Sequence, residues 1–157
     1  RVLMAKELLT NCYLFRDMTS EEITKLEPSL SSESFNRGDE VFAQDDAAKA
    51  LYLIKMGSVR VLQKGHSGDS IEVAVLASGS HFGEMAFLDQ EKRSATVEAL
   101  EKTEVLRVDY DKLRAALTAN PVVAVKFLKA MALFLCGRLR VTTNDLSFAR
   151  ELNLKHF

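Results

Sequence analysis

Six of the seven glycines lie between Gly38 and Gly83, and the two prolines, Pro28 and Pro121, stand on either side of that stretch. Glycine supplies the tight turns that short strands need, so this distribution predicts a turn-rich β domain between helical ends. Hydropathy agrees, because the period is two from Ser31 to Val108. Ile71, Val73 and Val75 alternate with Glu72, Ala74 and Leu76; Val59 and Val61 with Arg60 and Leu62; Ala95, Val97 and Ala99 with Ser94, Thr96 and Glu98. Turn signals part the runs at Arg37-Gly38-Asp39, Gly57-Ser58 and Gly65-His66-Ser67-Gly68-Asp69. Short strands at such spacing form an antiparallel sandwich or barrel.

The flanks read as helices. Leu8, Leu9, Tyr13 and Leu14 recur near helical spacing in an N-terminal helical segment, residues 1–30. Within it Thr19-Ser20-Glu21-Glu22 fits a capping box, with Ile23, Leu26 and Leu30 on the buried face. The β region covers 31–109 and the C-terminal helices 110–157. Asp109 is placed to cap a short helix through Leu117, and Asn120 to cap a long one that starts at Pro121. A helix over 121–152 is roughly 48 Å long. Leu128, Ala132, Leu135, Leu139, Thr142, Leu146 and Ala149 follow a 4-3 spacing, the signature of a coiled-coil seam with one polar member. Such a helix outruns a compact domain and is expected to form a homodimer.

Composition narrows the class. The 157 residues suit one domain, and 47% hydrophobic content argues against disorder. With 21 Lys plus Arg against 22 Asp plus Glu, the net charge of −1 does not indicate a general nucleic-acid surface. Cys12 and Cys136 are too few for a Cys-rich metal site or a disulfide scaffold, so a reduced, cytoplasmic setting is expected. No stretch approaches the roughly twenty apolar residues a membrane span needs. The chain starts at Arg1 rather than Met, as a fragment would.

The stretch richest in chemistry runs Phe82-Gly83-Glu84-Met85-Ala86-Phe87-Leu88, then Asp89-Gln90-Glu91-Lys92, then Arg93-Ser94-Ala95-Thr96-Val97. Gly83 lets a ligand approach the backbone, and the turn after it offers amide N–H groups to an anion. Arg93 adds a planar, permanently charged donor fork. Glu84 is an acceptor suited to sugar hydroxyls. Together these describe a site for a phosphate attached to a ribose.

This stretch resembles the phosphate-binding cassette of cyclic nucleotide-binding domains, in which F-G-E and a short apolar turn precede R-(small)-A-(T/S)-V. The order of helix, short strands and long helix fits that family too. The resemblance implies an α+β, mainly β, fold: an antiparallel β-roll or jelly-roll sandwich flanked by N-terminal helices and a long C-terminal helix. It implies that Arg93 binds the cyclic phosphate, with a hydroxyl from Ser94, and that Glu84 takes the ribose 2′-hydroxyl. Gly83, Met85 and Ala86 would give backbone contacts. Arg138-Leu139-Arg140-Val141-Thr142-Thr143 is similar to the R-L-Q-V-T-S of catabolite-activator-like regulators, whose Thr-Ser pair meets the adenine, one hydroxyl from each subunit. Thr142 and Thr143 fall on that pair. In those regulators a helix-turn-helix domain follows the long helix, whereas this chain ends at Phe157. The resemblance therefore implies a non-enzymatic regulatory sensor that needs no cofactor. Cyclic AMP is the favoured ligand and cyclic GMP the alternative. The chain itself is expected to make no direct nucleic-acid or membrane contact.

Three other readings compete. A cupin-like metal-dependent enzyme needs several His and a Glu on one metal, and the chain offers His66, His81 and His156, with only His81 near Glu84. A haem or iron–sulfur sensor would lack the Glu and Arg or add cysteines. A degenerate dimerisation domain would lose the cassette. His81 is read as a loop residue beside the pocket.

Overall fold

Alternation along eight strands, β1 (Leu30–Phe35), β2 (Glu40–Phe42), β3 (Ala50–Met56), β4 (Ser58–Lys64), β5 (Ser70–Ala77), β6 (His81–Phe82), β7 (Thr96–Ala99) and β8 (Thr103–Asp109), builds two four-stranded antiparallel sheets in the computed structural model, which describes residues 2–155. One sheet has the order β1-β8-β3-β6 and the other β2-β7-β4-β5. Arg1, His156 and Phe157, at the ends of the two helical segments drawn from sequence, lie outside the described residues.

The sheets enclose a roll whose inner core is Ala50, Tyr52, Ile54, Val59, Phe82, Val97 and Val105. The outer face of the first sheet carries a second, larger core. There Leu51, Leu53, Leu106 and Val108 meet Leu14, Phe15, Ile23, Leu26, Leu113, Phe127 and Met131 of the flanking helices. β3 thus faces apolar groups on both sides, which is why Ala50–Ile54 is a continuous apolar run rather than an alternating one. The fold is the expected helix-flanked β-roll.

Five α-helices surround it: α1 (Val2–Thr10), α2 (Ser20–Thr24), α3 (Met85–Asp89), α4 (Tyr110–Ala119) and α5 (Pro121–Lys155). Thr19 caps α2 through the full capping box with Glu22. The element is shorter than its apolar pattern suggests. It ends at Thr24, a 3-10 turn covers Glu27–Ser29 with Pro28 inside it, and Leu30 already belongs to β1. Asp109 caps α4, which runs two residues past Leu117. Asn120 holds the N-cap position of α5, its carbonyl accepting from Ala124 N, but its side-chain amide donates back to Ala116 O at 2.8 Å and finishes α4 instead of capping α5. On β5, Ile71, Val73 and Val75 face outward and are half exposed, while Ala74 and Leu76 turn inward.

At 35 residues α5 is about 52 Å long. It buries Val123, Phe127, Ala130 and Met131 against the domain and half-buries Phe134 and Leu135. From Cys136 to Lys155 every residue is exposed, so the helix leaves the domain there. Leu128, Leu139 and Leu146 of the 4-3 seam are 46%, 67% and 52% exposed. No helix among the described residues is long and apolar enough to cross a membrane.

Candidate functional site

A cavity of about 160 Å³ opens between the β4–β5 hairpin, the segment from β6 through α3 to β7, and one residue of α5. Gly83, Glu84, Met85, Ala86, Arg93 and Ser94 all line it, together with Phe42, Val61, Leu76 and His81. Six of the eight residues singled out from sequence therefore converge. Thr142 and Thr143 do not line it within a single chain; both are exposed on α5. Arg138 does line it, and Thr142 lies one helical turn further along the same face. In the sequence Arg138 stands only as the first residue of the Arg138–Thr143 hexad. The i, i+4 spacing to Thr142 is the signal that marks it.

The backbone shapes the site first. Gly83 has φ +79°, a conformation that L side chains rarely adopt, and it turns the chain from β6 into α3. Met85 and Ala86 occupy the first turn of α3, where their amides have no intrahelical acceptor. Gln90, in the left-handed region at φ 59°, ends the helix. Asp45 N donates to Arg93 O and Arg93 N to Asp46 O, which fix the strand entry that carries Arg93.

Arg93 is 5% exposed. Its guanidinium packs 3.9 Å above the Phe42 ring and donates through Nη2 to Ala50 O at 2.6 Å and through Nη1 to Gly83 O at 3.1 Å. Nη1 also reaches the Tyr110 hydroxyl at 3.3 Å, and that hydroxyl in turn donates to Gly83 O. Burial pushes the Tyr110 hydroxyl above its ordinary pKa, with Arg93 opposing. Arg93 Nε is buried with no acceptor. No carboxylate among the described residues forms an ion pair with Arg93. A desolvated cation held only by carbonyl and hydroxyl oxygens is a place where an anion gains free energy.

Glu84 is 5% exposed, and its Oε2 lies 3.4 Å from His81 Nδ1, close enough for electrostatic pairing though not aligned as a hydrogen bond. His81 is in strand β6, paired with Leu53, rather than in a loop. Its ring meets Phe134 of α5 at 4.3 Å between centroids, and Phe134 meets Tyr13 at 5.9 Å. Burial pushes the Cys12 thiol up to about 12, with the nearby Glu84 charge adding to the effect. No group of three or more His, Cys, Asp or Glu able to hold a metal occurs among the described residues. The cupin alternative finds no ligand set there, and its His156 lies outside them.

The family model described as "Cyclic nucleotide-binding domain" matches residues 32–120. The chain is 33% identical over 127 residues to the "Cyclic AMP receptor protein" of Thermus thermophilus, a match covering 81% of this chain and 57% of that protein. Among solved structures it resembles the Thermus thermophilus catabolite activator protein with a TM-score of 0.74 at 32% identity, covering 87% of this chain and 62% of the other. It also resembles the N-terminal domain of a transcriptional regulator from Streptomyces coelicolor, with a TM-score of 0.73 at 29% identity, covering 87% and 95%. The chain thus spans roughly six-tenths of the length of that Thermus thermophilus protein and of a similar regulator from Mycobacterium tuberculosis.

Proposed function

Since the chain belongs to the cyclic nucleotide-binding domain family, we propose that its cavity takes cyclic AMP and that the ligand acts by resetting how α5 sits on the roll. The chain is a regulatory, non-catalytic domain of the catabolite-activator type. The observation that carries the ligand proposal is the buried Arg93 guanidinium with no counter-anion and an unused Nε. A cyclic phosphate supplies that anion, with the amides of Met85 and Ala86 and the Ser94 hydroxyl beside it. Glu84, in the same cavity, accepts from the ribose 2′-hydroxyl. The name of the Thermus relative supports adenine as the base.

In the same proposal α5 is the output. Its exposed seam from Leu128 to Ala149 pairs with a second copy, which brings Thr142 and Thr143 of two helices toward the two cavities. Arg138 already reaches the cavity from α5, so a ligand there biases the helix between two positions. That is a population shift, set by the difference in the ligand's affinity for them.

Calorimetric titration with cyclic AMP and cyclic GMP tests the site. Arg93→Ala removes a hydrogen-bonded charge, an interaction of about 1.5–3 kcal/mol, so affinity should fall roughly tenfold to a hundredfold. Arg93→Lys should also bind weakly, because an ammonium lacks the fork. Equal affinity of Arg93→Ala and the parent chain would overturn the assignment. Equal melting temperatures of the parent with and without either nucleotide would favour the non-binding dimerisation domain instead, since a ligand at a hundred times its Kd adds about 2.7 kcal/mol.

A further inference from the structure

One buried group in the cavity has no role in the account above. His81 is 5% exposed, and neither of its ring nitrogens has a hydrogen-bond partner. Polar atoms so deeply buried are almost always satisfied, and leaving them unmet costs stability. The ring is fixed in place: β6 holds its backbone against Leu53, Phe134 covers it, and Nδ1 lies 3.4 Å from Glu84 Oε2 without a hydrogen bond. Such a group gains most from a state in which it carries a proton and faces negative charge.

We propose that His81 is a positioning residue for Glu84, taking up a proton when a cyclic nucleotide binds and, as imidazolium, holding the carboxylate ionised and aimed at the ribose hydroxyl. This rests on the cyclic nucleotide reading of the cavity. The charged and titratable groups around it set the sign. Glu84 favours the protonated ring. Arg93 and Lys92 from the cassette and Arg138 from α5 line the same cavity and oppose it. Asp89 and Glu91 line its rim, and the Cys12 thiol, uncharged in the neutral range, faces Glu84 from the N-terminal segment. The incoming phosphate brings a negative charge that offsets Arg93, so binding tips the balance toward the imidazolium. By linkage the nucleotide then binds more tightly as pH falls from about 8 to about 6, because each ligand draws in a fraction of a proton.

The experiment is calorimetric titration of the full chain with cyclic AMP at about pH 8 and about pH 6, each in two buffers of different ionisation enthalpy. The parent chain should bind roughly threefold to tenfold more tightly at the lower pH and take up a fraction of a proton. His81→Phe keeps the ring against Phe134 but cannot titrate, and should show neither effect. His81→Gln serves if the Phe variant does not fold. Proton magnetic resonance of the parent's imidazole needs no variant, and its titration midpoint should rise when cyclic AMP is added. Parent affinity that does not change with pH, an unmoved midpoint, or a pH slope that persists in His81→Phe would each overturn the role of His81 while leaving the nucleotide site standing. No binding of either cyclic nucleotide by the parent at either pH would overturn the site and this inference together.

Discussion

Gly83 makes room for Arg93: a Cβ on Gly83 would sit 2.8 Å from Arg93 Nη1 and 3.3 Å from Ala50 O, the carbonyl that the same guanidinium holds. The glycine serves the arginine first and the ligand through it. Gly83→Ala places an L side chain at φ +79°, a conformation that costs about 1–2 kcal/mol, and pushes the guanidinium out of its seat. The variant should melt lower and lose at least about tenfold in cyclic AMP affinity, a change of roughly 1.4 kcal/mol. If its affinity matched the parent's, Arg93 would not depend on this fit.

Glu84 carries the second expectation. If its carboxylate accepts from the ribose 2′-hydroxyl, Glu84→Ala should weaken cyclic AMP binding by about tenfold or more, the worth of a hydrogen bond to a charged group. The parent should discriminate against 2′-deoxy cyclic AMP, and the variant should bind the two nucleotides alike. A variant that still discriminates as the parent does would show that Glu84 acts elsewhere.

These two residues could be found from sequence because close backbone approach, charge and a turn leave residue-type signals within one short segment. Their surroundings could not. Ala50 O and the Tyr110 hydroxyl reach Arg93 from β3 and α4, at separations of 43 and 17 residues, and nothing in their residue types marks them as its partners. Alternation along β5 set the period but not the phase. Ile71, Val73 and Val75 look like the buried set, yet the inward face is Ala74 and Leu76, which line the cavity, with Leu76 also packed on the inner core. The exit of α5 from the domain after Leu135 is likewise a fact of packing. The apolar pattern runs on past it unchanged.

Asp109 links the roll to its helices and gives a pH-dependent contribution to stability. Its Oδ1 accepts from Lys112 N at 3.0 Å and its Oδ2 from Arg107 Nη1 at 3.3 Å. The Lys112 amide first, and Arg107 after it, hold the carboxyl below its usual 3.8. A folded-state value below the unfolded one means stability that is present above pH 3.8 and lost as pH falls through the lower value. Asp109→Ala should therefore cost about 1 kcal/mol near neutrality, the usual worth of a cap, and much less in acid. Denaturant melts of parent and variant at both pH values check this. An undiminished gap in acid would assign the loss to the backbone entry rather than to the charge.

The two thiols should differ sharply in reactivity. Cys12 is 2% exposed with its pKa pushed up to about 12, so hardly any thiolate is present near neutrality, whereas Cys136 stands exposed on α5. With a disulfide reagent the native chain should release one equivalent of chromophore quickly and the second only after denaturation. Cys136→Ser should abolish the fast phase. Two fast equivalents from the native chain would mean that the N-terminal segment opens readily.

In the proposed mechanism the long helix joins sensing to assembly. Leu128, Leu139 and Leu146 are each about half exposed or more, on one stripe of a helix whose residues from Cys136 to Lys155 are all exposed. A parallel partner helix would cover them, and the proposed dimer follows. Thr142 breaks the stripe with a hydroxyl, and a polar residue at such a position costs association energy unless it serves register or a ligand. Thr142→Leu should thus tighten the dimer, read by sedimentation, while weakening cyclic AMP binding. Thr143→Ala should narrow the preference for cyclic AMP over cyclic GMP without abolishing either, because the contacts to Glu84 and Arg93 persist. Leu139→Asp should shift the chain toward monomer by placing two like charges across the seam. A monomeric parent at high micromolar concentration, or Thr142→Leu binding cyclic AMP as the parent does, would separate the helix from the sensing mechanism and leave the Arg93 site to stand by itself.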